Sequence, residues 1–185
     1  MDFDRGRMFA HVIRRGNSLL RLRAYDPYRR GPMGNLQEVR RLLTASSDED
    51  NPSAEELQKL FKRVERVAVI GLSRFPEKAA RRVPSYLAAK GYDIIPVNPH
   101  ADRIFGRKVY ARLADVPDEV DLVIVFRPSS EAGPFVEEAA QRPERPTIWL
   151  QEGILADTEV AAARADGITV VQDLCAFKVH RALFD

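Results

Sequence analysis

A repeated alternation constrains the fold more than any other feature of this sequence. Five short runs rich in Val and Ile, at 67–70, 92–97, 122–126, 147–150 and 168–171, are separated by turn residues and stretches with helical spacing. The runs are mostly unbroken by polar residues, as expected of strands covered on both faces. Strands that alternate with helices through right-handed crossovers build a parallel sheet between two helical layers. The expected fold is therefore α/β, a Rossmann-like parallel sheet of five or six strands with helices on both faces. The sixth strand is a short candidate at 108–110.

Helices are predicted at about 82–90, 130–141 and 157–165, with a closing helix after Leu174. Gly91 and Gly167 suit the positions just past the first and third of these. Pro84 fits a helix in its first turn, where the missing N–H costs nothing, so the turn after Gly71 is expected to run for about ten residues. Upstream, Asn35 and Glu38 suggest the cap of a short helix whose Leu36, Val39, Leu42 and Leu43 share a face. A polar stretch, SSDEDNPS, follows. Ser53 and Glu56 then read as a capping box before an apolar stripe of Leu57, Leu60, Phe61 and Val64, which predicts a lead-in helix packed on the sheet. The expected organisation is a basic N-terminal extension over 1–50, poorly ordered or a short helix, and a nucleotide-binding domain over 51–185.

A chain of 185 residues, 45% of them apolar, can bury one ordinary core. Its one cysteine, Cys175, excludes an intramolecular disulfide, and no run has the length of a membrane span or the pattern of a signal peptide. A soluble, cytoplasmic, bacterial protein is expected. The net charge of +2 hides an asymmetry, because residues 1–41 carry ten Arg against four acidic residues. Such an arm either touches nucleic acid or an acidic partner, or is a solvated extension. No recognition motif or stacking pattern accompanies the arginines, so nucleic acid is not the expected partner. Asp2 and Asp4 count against a transit peptide, and Met8 and Met33 leave a downstream start open.

In doubly wound sheets ligands bind at the carboxyl ends of the strands, near the switch in strand order. The residues just after the five strands are Gly71-Leu72-Ser73-Arg74, Asn98-Pro99-His100, Arg127-Pro128-Ser129, Gln151-Glu152-Gly153 and Gln172-Asp173. Gly71 permits a sharp turn, and Ser73 with the amides of the next helix start can cradle phosphate oxygens. Arg74, Lys78, Arg81 and Arg82 add four cations within nine residues, pointing to a ligand with more than one phosphate. The competing reading is an ordinary turn with a solvated basic face. A dinucleotide site would show G-x-G-x-x-G and an acidic residue after the second strand. Here the glycines are missing and the second strand ends in Asn98, which either bonds a ribose or adenine edge or simply forms a turn before Pro99.

The succession VAVIGLS, GYDIIPVNP, GRKVY, DLVIVFR, WLQEGI and VVQDLC, running from about Val64 to Leu183, resembles the small bacterial CoA-binding domain family. That family is similar to the CoA-binding domain of the succinyl-CoA synthetase alpha subunit. The resemblance implies a Rossmann-like fold that binds coenzyme A. By it, Gly71, Leu72, Ser73 and Arg74 form the phosphate-binding turn, and Asn98, Pro99 and His100 flank the nucleotide end. Phe126, Arg127, Gln151, Glu152 and Gly153 belong to loops against which the rest of the ligand lies. Related sequences often carry a basic residue where this chain has His100, which weakens a phosphate contact there. Coenzyme A carries a 3′-phosphate besides its pyrophosphate, so Arg74, Lys78 and Arg81 are assigned to phosphate neutralisation. Arg127 either clamps a phosphate or carbonyl, or pairs with Glu152 or Glu131. Phe75 and Pro76 shape an adenine contact or fill the turn.

Catalysis needs a nucleophile or base with an orienting partner, and the candidates are few. The synthetase phosphohistidine lies in a domain this chain lacks, and His180, on the closing helix, reads as a surface or packing residue. Cys175 reads as a small buried residue, or, if it meets the ligand, as a thiol able to form a mixed disulfide with coenzyme A. No carboxylate pair or metal-spaced cluster is evident. The expectation is a non-catalytic module that binds coenzyme A or an acyl-CoA, with a protein partner and a homodimer left open. The alternatives are an NAD(P)-binding oxidoreductase or a nucleotide-sensing regulator.

Overall fold

The computed structural model describes residues 35–185. Residues 1–34, which hold most of the basic arm together with His11, lie outside the described residues.

Five parallel strands form the main sheet: β1 (Arg66–Ile70), β2 (Asp93–Val97), β5 (Leu122–Val125), β6 (Thr147–Leu150) and β7 (Val170–Val171), in the order β2-β1-β5-β6-β7. A separate antiparallel hairpin holds β3 (Arg103–Ile104) and β4 (Arg107–Lys108). Its two-residue turn, Phe105-Gly106, has φ of 57° and 71°, the positive values such tight hairpins require. The sixth expected strand is thus shifted to β4, and beyond it Tyr110 makes one bridge to Val97. There the Tyr110 N–H donates to the Pro96 carbonyl at 3.0 Å, and the Asn98 N–H donates to the Tyr110 carbonyl at 2.9 Å. This covers the outer edge of β2 and lets Pro96 stand in that strand, because an edge position asks little of its missing N–H.

Side chains alternate across the sheet and feed two cores. Val67, Val69, Ile94, Leu122, Ile124, Trp149 and Val171 pack with α1 (Leu36–Ala45), α2 (Ala54–Arg63), α3 (Ala79–Ala89) and α6 (Ala176–Phe184). Ala68, Ile70, Ile95, Val97, Val123, Val125, Ile148 and Leu150 pack with α4 (Ser129–Ala140) and α5 (Asp157–Ala165). The period of two in the strands thus meets a helical layer on each face.

The Ser53–Glu56 capping box forms as expected, with the Ser53 N–H donating to Glu56 Oε2 at 2.8 Å and the Glu56 N–H to Ser53 Oγ at 3.3 Å. Asn35 caps α1, its Oδ1 accepting the Glu38 N–H at 3.1 Å. α1 docks on the domain: Val39 is fully buried, and the Asn35 N–H donates to the Ala182 carbonyl at 2.8 Å. The polar stretch after it is stitched to the end of β7. Asn51 exchanges two hydrogen bonds of 2.8 Å with the Gln172 backbone, and Asp48 takes both ends of the Arg164 guanidinium at 3.1 and 2.7 Å.

α3 starts three residues earlier than the sequence reading placed it, so Pro84 lies inside the helix. The carbonyl that a residue 84 N–H would ordinarily claim belongs to Ala80, and it accepts the Ser73 N–H at 3.1 Å instead. A contact made across the loop compensates for the bond that proline cannot make.

Candidate functional site

From β1 the chain crosses to β2 on one side and later returns to lay β5 on the other, so the strand order switches between β1 and β5. Loops leaving these strands part in opposite directions and open a crevice at the carboxyl edge. The cleft found there has about 800 Å3 of empty space, counting open solvent at its mouth. Gly71, Ser73, Arg74, Lys78, Asn98, His100, Phe126 and Arg127 line it together with Phe75, Ala80 and Ala101.

The floor is set by Gly71. Its φ is +78°, and a Cβ there would stand 2.5 Å from the Phe126 carbonyl oxygen. The Gly71 N–H donates to Val97 O at 2.9 Å, and the Phe126 N–H donates to Ile70 O at 2.9 Å, so the ends of β2, β1 and β5 are drawn together. The glycine is needed for that close approach of strand ends.

Ser73 shapes the loop. Besides its bond to Ala80, its Oγ accepts the Phe75 N–H at 3.1 Å, and the Lys78 N–H donates to Phe75 O at 3.3 Å. The bare amides at this edge are those of Ala79 and Ala80, the first two positions of α3, which have no intrahelical acceptor. They carry the positive end of the helix dipole.

Asn98 is occupied within the fold. Its Nδ2 donates to the Leu72 carbonyl at 2.9 Å and its Oδ1 accepts the His100 N–H at 2.8 Å. Leu72 itself is fully buried, and Pro99 is exposed but does not line the cleft.

The electrostatics are uneven. Arg74, Lys78 and Arg82 are exposed, and Arg81 is half-buried with its guanidinium 3.8 Å from the centre of the Phe105 ring. Among the described residues none of these four has a carboxylate partner, whereas Arg107, Arg112, Arg142, Arg164 and Lys178 each do. Arg127 forms an ion pair with Glu131 one turn along α4, and its Nε is sealed from solvent with no acceptor. A buried donor in that state costs free energy until something accepts from it.

The end of β6 has a different role. Gln151 is 4% exposed and its Oε1 accepts the Ala176 N–H at 3.3 Å, while its Nε2 has no partner. Glu152 pairs with Lys178 at 2.7 Å. The Gly153 N–H donates to Asp173 Oδ1 at 2.6 Å, and Asp173 Oδ2 accepts from the Ser47 N–H and hydroxyl at 2.9 and 2.7 Å. Burial pushes the Asp173 carboxyl up, but the Ser47 and Gly153 donors outweigh it and hold it below the usual carboxylate range. Gln151, Glu152 and Gly153 therefore brace the neighbouring loops and do not line the cleft.

His180 is buried among rings, its Nδ1 2.9 Å from the Tyr86 hydroxyl and its Nε2 3.1 Å from the Tyr92 hydroxyl. Cys175 is half-buried at the start of α6. Among the described residues no group of His, Cys, Asp and Glu is arranged to hold a metal, and no helix is long and apolar enough to cross a membrane.

The hairpin contribution escaped the sequence reading. Phe105 under Arg81 and Ala101 in the cleft wall come from a segment whose position is set by tertiary packing, and no local signal marks them.

The chain is a doubly wound α/β domain with a crevice, lined in part by cations, at its topological switch point, the place where such sheets take their ligands. It belongs to a specific family of such domains: the CoA binding domain model matches residues 65–181. It is 35% identical over 130 residues to the uncharacterized protein YneT of Bacillus subtilis (strain 168), covering 70% of this chain and 96% of that one. The structure of the Thermus thermophilus protein cell-free ID.343 superposes with a TM-score of 0.67 at 34% identity, covering 72% of this chain and all of the other. A third relative is the ADP-forming acetate–CoA ligase II of Archaeoglobus fulgidus, 35% identical over 98 residues. Those residues are 52% of this chain but 15% of the ligase.

Proposed function

We propose that this domain binds coenzyme A or an acyl-CoA in the crevice between β1 and β5, as a module with no chemistry of its own. The observation that carries the reading is that Arg74 and Lys78, which line the cleft without a carboxylate partner among the described residues, stand beside the bare amides of Ala79 and Ala80. Arg81 and Arg82, also without carboxylate partners among those residues, lie in the same first turn of α3 just outside the lining. A pyrophosphate with an added 3′-phosphate matches that excess of positive charge better than the bare pyrophosphate of NADH does, and the missing G-x-G-x-x-G pattern counts against NADPH. Arg74 and Lys78 neutralise phosphate, Arg81 is held in place by Phe105, and Arg127 lines the cleft at the end of β5. The remainder of the ligand runs past Phe126 toward the loop of Gln151, Glu152 and Gly153. The module acts in the cytoplasm as a carrier, a sensor or a subunit dependent on a protein partner.

Calorimetric titration with coenzyme A, dephospho-coenzyme A, NADH and NADPH tests this. Exposed ion pairs contribute about 0.2–1 kcal/mol each, so replacing Arg74 and Lys78 together by Ala should weaken coenzyme A about two- to thirtyfold. The loss should be larger for coenzyme A than for dephospho-coenzyme A if these cations hold the 3′-phosphate, and equal if they hold the pyrophosphate. Tighter binding of either dinucleotide, or no effect of the double substitution, refutes the assignment.

A further inference from the structure

Phe75 is 45% exposed, and among the described residues it is the large hydrophobic side chain left open to solvent. It lines the cleft at the tip of the loop that follows β1. Its backbone is held from both sides, the N–H by Ser73 Oγ at 3.1 Å and the carbonyl by the Lys78 N–H at 3.3 Å. The ring is therefore presented by a built turn. Two cations rest against it, the Arg74 guanidinium 5.0 Å and the Lys78 ammonium 5.3 Å from the ring centre. No other ring among the described residues packs on it, although Phe61, Tyr86, Tyr92, Phe177, His180 and Phe184 cluster elsewhere.

We propose that Phe75 is a stacking platform for the purine ring of the ligand, and that the base displaces Arg74 and Lys78 from the ring onto the ligand's phosphates. This rests on the coenzyme A reading and adds to it the residue that recognises the adenine half. A single exposed ring between two cations is too small and too charged to seat a protein, whose stable interfaces bury far larger areas. A purine bearing phosphates satisfies both parts at once. Its π face covers the ring, and its anionic groups take up the two cations. The two exposed cation–π contacts together are comparable to one stacked base, so the exchange is carried toward the bound state by the charge-assisted hydrogen bonds that the freed cations make to the phosphates.

The test divides coenzyme A into halves, adenosine 3′,5′-bisphosphate and 4′-phosphopantetheine, and titrates each, with intact coenzyme A, against the full-length protein and its Phe75→Ala, Phe75→Leu and Phe75→Trp variants. Phe75→Ala and Phe75→Leu should weaken coenzyme A and the bisphosphate about five- to fiftyfold and leave 4′-phosphopantetheine unchanged. Phe75→Trp should bind like the parent, with the new indole quenched by coenzyme A; the resident Trp149 is fully buried and supplies the reference emission. The ring is exposed, so melting temperatures should stay within about 2 °C of the parent. Equal losses for both halves would mean that Phe75 only shapes the loop, and no loss would place the base elsewhere; either result overturns the proposal while the coenzyme A reading stands. Failure of the parent protein to bind coenzyme A overturns both.

Discussion

Lowering the pH should destabilise this fold through His180. The imidazole is 4% exposed and packed against Phe61 and Phe184, ring centres 5.1 and 4.7 Å away. The titratable groups facing it are Tyr86, Tyr92 and, beyond them, Asp185 and Lys90. Burial dominates, with the Lys90 charge assisting and Asp185 opposing, and brings the imidazole from its ordinary 6.5 down to about 4. Between those values the unfolded chain binds a proton that the folded one refuses. The contribution of a neutral His180 is therefore complete above about pH 6.5 and is lost as pH falls toward 4. Linkage gives a loss of about 2 kcal/mol between pH 7 and pH 5, growing to about 3 kcal/mol by pH 4. For a domain of this size that is about 4–8 °C of melting temperature over the first interval. The control is His180→Phe, which keeps a ring in the cluster. It strands no donor, because the Tyr92 hydroxyl still donates to Phe61 O at 3.0 Å and that of Tyr86 to Asp185 at 3.1 Å. Melting curves from pH 4 to 8 for both proteins, subtracted, cancel the carboxylates they share. The variant should lack the steep segment below pH 6.5; parallel profiles would refute the reasoning.

Two further outcomes follow from the site. Gly71→Ala adds a left-handed backbone penalty to a Cβ 2.5 Å from the Phe126 carbonyl, so a loss of about 2–4 kcal/mol is expected, seen as a melting temperature lower by about 5–15 °C; a change under about 2 °C would contradict it. Asp173→Asn removes the charge shared by the Ser47 and Gly153 donors and should cost about 1–3 kcal/mol at neutral pH, with faster amide exchange at Gly153. Because the folded carboxyl is held low, its stabilisation is present above the ordinary range and fades as pH falls through the folded value, so the variant's acid limb should be shallower.

Much of the architecture was legible because its signals are local. The Ser53–Glu56 box and the Asn35 cap depend on residues three apart, and the Val- and Ile-rich runs need only their own composition to read as covered strands. The start of α3 was misplaced because proline's local rule was applied without the Ser73 contact that relieves it. Asn98 offered two roles in the sequence, and the structure employs its amide within the fold, bonding Leu72 and His100. Arg127 likewise had two candidate carboxylates, and from the loop before α4 it pairs with Glu131 in the first turn of that helix, while Glu152 goes to Lys178 across the sheet edge.

The sequence by itself determined the alternation of strand and helix, the parallel sheet with two covered faces, and the cations that follow β1. Those follow from periodicity and capping, which act over a turn or two of chain. Tertiary structure alone decided the order β2-β1-β5-β6-β7, the crevice at its switch point, the placing of the β3–β4 hairpin beneath Arg81, and which charges lack partners. The physical reason is that pairing is a matter of which groups lie within a few ångströms of each other, and residues distant along the chain meet there only after both cores have closed.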